Sequence, residues 1–242
     1  YKAQFWKIEI IKMRFIFLFI LFFLLIEKTY ADECNQIPKK GSKNFIIGYG
    51  SLMEENSRTR TNKEAINVKP IFIKNFQREW GQRSQRYKIT FLTVSRKIGS
   101  TINAIYYPLN IKSIKKLDKR ERGYCRYRVK FKELKFFGKK VNPKNKNFWI
   151  YTAKKNNILK PDNNHPIVQS YVDIFLNGCF QIQDKFNIYN FSELCVETTK
   201  GWSSNWVNDR VHPRRPFLIP NFYRIDSLLS EKFSYYLNNQ IE

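Results

Sequence analysis

The chain alternates short apolar runs with polar, turn-forming stretches, and most of those runs have the length and residue types of strands. Asn44-Phe45-Ile46-Ile47 is closed by Gly48-Tyr49-Gly50, which predicts a buried strand feeding a tight glycine loop. The polar stretch Glu54–Thr61 that follows reads as partly helical. β-Branched and aromatic residues dominate Val68–Phe76, Tyr87–Val94 and Thr101–Tyr107, and predict three further strands. Tyr124–Phe131 alternates strictly. Cys125, Tyr127, Val129 and Phe131 fall on one face and Arg126, Arg128 and Lys130 on the other, as in a half-buried strand. Phe148–Ala153 predicts one more strand.

Helical spacing is found in four places. Ile111–Glu121 forms one helix, and Pro166 opens a second that Gly178 stops. A third is predicted within Phe191–Thr199 and a fourth within Asp226–Leu237. Residues 201–222, rich in tryptophan and proline, read as an irregular covering segment. There is no internal repeat and no low-complexity linker, so residues 43–242 are expected to form a single α+β domain around a sheet or barrel.

The first 31 residues stand apart. Lys7, Lys12 and Arg14 precede an apolar run of 12 residues, Phe15–Ile26, and small residues Thr29 and Ala31 suit cleavage before Asp32. Crossing a bilayer takes about 20 helical residues, so the segment is expected to be a signal peptide, with Met13 a possible start. The protein is then exported, periplasmic or secreted, and touches membrane only through that segment. An N-terminal membrane anchor is the alternative.

Export alters the reading of the four cysteines, because Cys34, Cys125, Cys179 and Cys195 would all sit in an oxidising space. Three connectivities are open, and pairing Cys179 with Cys195 closes the shortest loop. The net charge is +24, and remains +21 beyond residue 31, since the leader holds five Lys/Arg and two Asp/Glu. The basic residues are scattered and no nucleic-acid motif accompanies them, so compositional bias explains the charge better than a nucleic-acid partner does.

Candidate chemistry narrows to few groups. His165 and His212 are the only histidines and neither lies in a ligand-spaced cluster, so no metal is expected. Tyr49 and Met53 stand where a nucleophile elbow around Ser51 would need glycine, which argues against a serine hydrolase. Glycines after a strand can leave backbone N–H groups pointing into one small cavity, or can simply make a turn. On a helix starting at Ile111, Ile114 falls at about 300° and Leu117 at about 240°. Glu121 falls at about 280°, inside the apolar stripe, where a desolvated carboxylate becomes a usable base. A helix that ends before Glu121, with Gly123 following, would leave it a solvated charge or a partner of Arg120 or Arg122.

The run Phe45-Ile46-Ile47-Gly48-Tyr49-Gly50-Ser51-Leu52 resembles the first-strand signature of γ-glutamylcyclotransferase-like proteins. Leu117-Asp118-Lys119-Arg120-Glu121-Arg122-Gly123-Tyr124, with Arg126 and Val129, is similar to the family's second signature, and Pro166–Gly178 resembles its later helix. Trp206-Val207-Asn208-Asp209-Arg210 is like a segment of some bacterial members and is given no role beyond structure. The resemblance spans residues 44–180. It implies a mixed, largely antiparallel small β-barrel with flanking helices. It implies a cofactor-free lyase or acyltransferase that releases 5-oxoproline from a γ-glutamyl compound. Glu121 would be the catalytic residue, and Tyr49, Gly50, Ser51, Leu52 and Tyr171 would bind a small anionic γ-glutamyl substrate. Tyr171 has core packing on an amphipathic helix as its alternative role. Glutathione, a γ-glutamyl amino acid, a γ-glutamylamine and a γ-linked peptide all remain open as substrates. Two other readings stand beside this one: a basic secreted binding protein for anionic polymers or nucleic acid, and a protein that keeps the pocket with altered catalysis or acyl transfer.

Overall fold

β1 (Lys43–Gly48) is apolar from Phe45 onward, as suits a strand that lies between two others. In the computed structural model it pairs antiparallel with β3 (Ile89–Pro108) and parallel with β6 (Lys146–Ala153). The structure describes residues 34–238 except 139–140, 155–157, 218 and 221. The leader therefore lies outside the described residues. A compact unit runs from Gln36 to the end of the chain.

The remaining elements, in chain order, begin with α1 (Glu55–Thr59) and β2 (Lys69–Ser84). After β3 come α2 (Ile111–Arg120), β4 (Tyr124–Arg128) and β5 (Leu134–Phe136). After β6 come β7 (Ile167–Val168), α3 (Gln169–Phe186), α4 (Phe191–Glu197), β8 (Thr199–Lys200), β9 (Trp206–Val207) and α5 (Phe222–Asn238). The main sheet runs β4-β6-β1-β3-β2-β5, with β8 added to β2 and β7–β9 forming a separate pair. Most pairings are antiparallel, and β1–β6 and β2–β8 are the parallel ones within the main sheet. The fold is α+β. The sheet curls so that the start of β3 meets the end of β6 and the start of β4. There the Ala153 N–H donates to Thr93 Oγ1 at 2.8 Å, and the Tyr124 hydroxyl donates to the Leu92 carbonyl at 2.9 Å. Side chains thus complete a barrel that the backbone ladder leaves open.

Several expectations change. The three runs after residue 67 are two long strands, because Ser95–Ser100 joins the second and third into β3, while Gln77–Ser84 extends β2 despite its polar sequence. Bulges between Lys74 and Phe76 and between Trp80 and Gln82 let that polar stretch keep pairing with β3. Arg126 is buried rather than outward-facing, since it pairs with Asp118 at 2.9 Å and lies over the Trp149 ring at 4.7 Å. Pro166 does not open the second predicted helix. Its carbonyl accepts from the Thr90 N–H, and the next two residues pair with β9 before α3 begins.

Gly178 does not stop α3 but lies inside it, and the helix ends instead at left-handed Asn187. A side chain at 178 would collide with the Glu54 N–H, and with the Met53 carbonyl carbon at 2.6 Å, so glycine lets the glycine-loop segment lie directly on the helix. Gly178→Ala is expected to destabilise the protein by about 1–3 kcal/mol through overpacking. This holds although alanine gains roughly 1 kcal/mol in helix propensity over glycine. Urea unfolding reads the midpoint, and an unchanged midpoint would mean that the Met53–Glu54 contact yields freely.

Of the open cysteine pairings, the structure contains Cys179–Cys195, which joins α3 to α4 across a separation of 16 residues. No cysteine is free among the described residues.

Candidate active site

The turn after β1 is tied at both ends of Tyr49. Its hydroxyl donates to the Tyr151 carbonyl at 2.6 Å, and its own carbonyl accepts from the buried Arg78 guanidinium at 3.2 Å. The Met53 N–H donates to the Gly50 carbonyl at 2.9 Å and closes the turn. Gly50 is needed by proximity, since a side chain there would start 3.0 Å from the Tyr171 hydroxyl. Tyr171 reaches the loop from α3, with its ring packed edge-on against Phe91 and Trp80.

Glu121 arrives from the opposite side. α2 ends at Arg120, so Glu121 is its C-cap rather than a helical residue, with φ −93° and ψ 28°. The alternative outcome, a solvated carboxylate, does not follow. The Glu121 N–H donates to the Leu117 carbonyl, and the Glu121 carbonyl accepts from the Tyr124 N–H. The turn into β4 thereby keeps the side chain pointing inward, on the side of buried Ile114 and Leu117, and only 14% exposed.

Together these residues line one cavity of about 480 Å³. All six sequence-predicted positions, Tyr49, Gly50, Ser51, Leu52, Glu121 and Tyr171, contribute to its wall. Burial pushes the Glu121 carboxyl above its ordinary value of 4.5, against the pull of Arg120 and Arg215. The Arg120 Nε stands 3.1 Å from the carboxylate. The same guanidinium donates to the Ser57 carbonyl at 2.6 Å, to Thr61 Oγ1 at 3.0 Å and to Ser51 Oγ at 3.3 Å. One arginine thus joins α1, the glycine loop and the carboxylate. The phenols of Tyr49, Tyr124 and Tyr171 are each pushed up by burial first, with the charge of Glu121 adding to the rise. Backbone hydrogen bonds from Ser51 and Leu92 oppose this at Tyr171. All three remain protonated donors at neutral pH.

Sequence reasoning missed Arg60, Tyr124, Arg215 and Phe217 in the wall. The last two come from the covering segment, which the Asp209-Arg210 pair anchors. The Asp209 carboxylate accepts from the Ser170 N–H and hydroxyl at 2.7 Å and from the Arg214 N–H at 2.8 Å. Arg210 bridges Asp173 and Asp226. The only advance signal was an Asp-Arg pair in an otherwise irregular stretch. Among the described residues no cluster of three His, Cys, Asp or Glu side chains could hold a metal ion. Among them, too, no helix is long and apolar enough to cross a membrane.

No protein-family model and no curated protein matches the sequence. Solved structures do. One described as a gamma-glutamyl cyclotransferase aligns at 16% identity with a TM-score of 0.50, over 66% of this chain and 91% of its own. A human protein described as uncharacterized aligns at 15% identity and a TM-score of 0.47, over 67% and 92% of the two chains. A yeast cyclotransferase specific to glutathione aligns at 12% identity and a TM-score of 0.41, over 81% and 97%. The first likeness shows that this chain has the γ-glutamylcyclotransferase-like fold.

Proposed function

We propose that the protein is a cofactor-free cyclotransferase acting on γ-glutamyl compounds, with Glu121 as its proton carrier. One observation carries this reading: a shielded carboxylate with a raised pKa shares its cavity with the glycine loop and Tyr171. The shared fold adds support.

In the reaction the substrate's free α-amine attacks its own γ-carbonyl carbon. The new C–N bond closes the five-membered ring of 5-oxoproline, the amide bond to the leaving amine breaks, and no water is consumed. Nucleophile and electrophile belong to one molecule, so folding the glutamyl chain into the reactive conformer supplies much of the rate. Glu121 takes the proton from the attacking nitrogen and returns it to the departing one, a task suited to a carboxylate with a raised pKa. Arg120, paired with it, keeps the carboxylate available in its charged form at the outset. Backbone N–H groups of the Tyr49–Leu52 turn other than that of Ser51, which already meets Tyr171, and the Tyr171 hydroxyl are the donors for the developing oxyanion. Tyr49 itself acts through position, because its hydroxyl is already engaged by the Tyr151 carbonyl.

Export is part of the proposal. The leader pattern supports it, and so does the Cys179–Cys195 disulfide, a bond that oxidising compartments favour.

The test incubates the purified protein with glutathione, γ-glutamyl amino acids, a γ-glutamylamine and a γ-linked peptide, and quantifies 5-oxoproline and released amine. Equimolar amounts of both are expected from at least one substrate. Glutamate in place of 5-oxoproline, or no product from any member, would overturn the reading.

A further inference from the structure

The cavity carries more positive charge than a glutamyl group requires. Among the described residues, three guanidiniums, Arg60, Arg120 and Arg215, line it together with the single carboxylate of Glu121. Arg120 is taken up by Glu121, Ser51 and α1. Among the described residues, Arg60 and Arg215 make no ion pair with any carboxylate. Each is held by aromatic rings instead. The Arg60 guanidinium carbon lies 5.5 Å from the Phe217 ring centre, and that of Arg215 lies 5.3 Å and 5.5 Å from those of Tyr87 and Phe91. Stacking covers the flat faces of a guanidinium and leaves its N–H edge free for an oxyanion. The Arg215 Nε is buried with no hydrogen-bond partner among the described residues. Burial, with the like charges of Arg120 and Arg60, pulls the Arg215 guanidinium below its usual range, which an arriving anion would relieve.

Arg60 is exposed and half-buried Phe217 lies beside it, so this pair marks the mouth of the cavity, while Glu121 and Gly50 lie within. A glutamyl group seated at Glu121 brings one carboxylate, and its amide bond then directs the leaving half outward. We propose that Arg60 and Arg215 bind a second carboxylate, carried by that leaving half. The preferred substrates are then γ-glutamyl amino acids or peptides, not γ-glutamylamines. This inference rests on the cyclotransferase reading above and narrows its substrate class.

γ-Glutamyl-alanine and γ-glutamyl-alaninamide differ only in whether that second carboxylate is present. The acid should exceed the amide in kcat/KM by about 10- to 100-fold, the range of a hydrogen bond to a charged group. In the Arg60→Gln/Arg215→Gln double variant that ratio should fall towards one. Folding should hold, because glutamine keeps most of the side-chain stem at each position. Equal use of acid and amide by the wild-type protein, or a preference that survives in the double variant, would overturn the assignment. Calorimetric binding of the two compounds to Glu121→Gln reads the same preference without turnover. Failure of the cyclotransferase reading, seen as no product from any γ-glutamyl compound, is thereby distinguished from failure of this one, seen as no preference in binding.

Discussion

Glu121→Gln is expected to lower kcat for 5-oxoproline release by about 10²–10⁴-fold while leaving KM little changed. Glutamine keeps the shape of the side chain and can still accept from Arg120, so the loss isolates proton transfer. In the wild-type protein, activity should fall on the acid side as Glu121 becomes protonated, with a midpoint above the ordinary glutamate value of 4.5. The variant's residual activity should lack that limb. Stability should move the other way. A carboxyl whose folded pKa is raised binds its proton more tightly in the native state than in the unfolded chain. The stability it contributes is full below the unfolded pKa and is lost as pH rises through the folded one. At neutral pH the charged, shielded Glu121 is therefore a burden, and Glu121→Gln should melt higher than wild type, by about 2–4 °C for each kcal/mol gained. The gap should close as pH falls. Full activity in the variant would remove Glu121 from the mechanism, and a variant that melts lower at neutral pH would show that its pairing with Arg120 outweighs desolvation.

The second large effect is expected at Arg78, which is fully buried and makes no ion pair with a carboxylate among the described residues. Its guanidinium donates to the carbonyls of Tyr49, Asn103 and Cys195 and to side-chain oxygens of Asn103, Thr198 and Thr199. It also lies over the Phe175 ring at 4.9 Å. Burial pulls it down to about 9, so it is still protonated at neutral pH. Arg78→Met would leave these acceptors buried and unsatisfied, at a cost of about 3–5 kcal/mol, comparable with breaking a buried ion pair. Typical domain stabilities are about 5–15 kcal/mol, so the urea midpoint should drop by a large fraction. The Tyr49 carbonyl is one of the released acceptors, so catalytic efficiency should fall as well. Arg78→Lys should recover part of the loss through charge alone, because lysine lacks the planar fork. A midpoint within error of wild type for Arg78→Met would mean that water replaces the guanidinium without cost.

Local signals made much of the architecture legible. β1, β6 and α2 follow from uninterrupted apolar runs or from periodicity, and such patterns report burial directly because the pattern is what burial selects. β2 was half missed, since Gln77–Ser84 looks polar until its partner β3 is in place to pair it. Gly178 departs from its local signal for a related reason. A glycine in a helical pattern reads as a stop, and only the Met53–Glu54 segment lying against α3 reveals that it is there for contact.

The candidate site divides along the same line. The candidate pieces are legible locally: the glycine turn after β1, a carboxylate at the end of α2 on its apolar side, and Tyr171 on α3. Each is encoded within a few consecutive residues, and the family resemblance tied them together. That they face one cavity, that Glu121 is shielded although the helix stops short of it, and that Arg60 and Arg215 stand beside it without an ion pair among the described residues, are matters of tertiary packing. The physical reason is that shielding and charge balance are sums over neighbours distant in the chain. No window of residues contains the Arg120 that opposes Glu121's desolvation together with the Arg215 that comes to it from the covering segment, 94 positions away in the numbering Glu121 to Arg215.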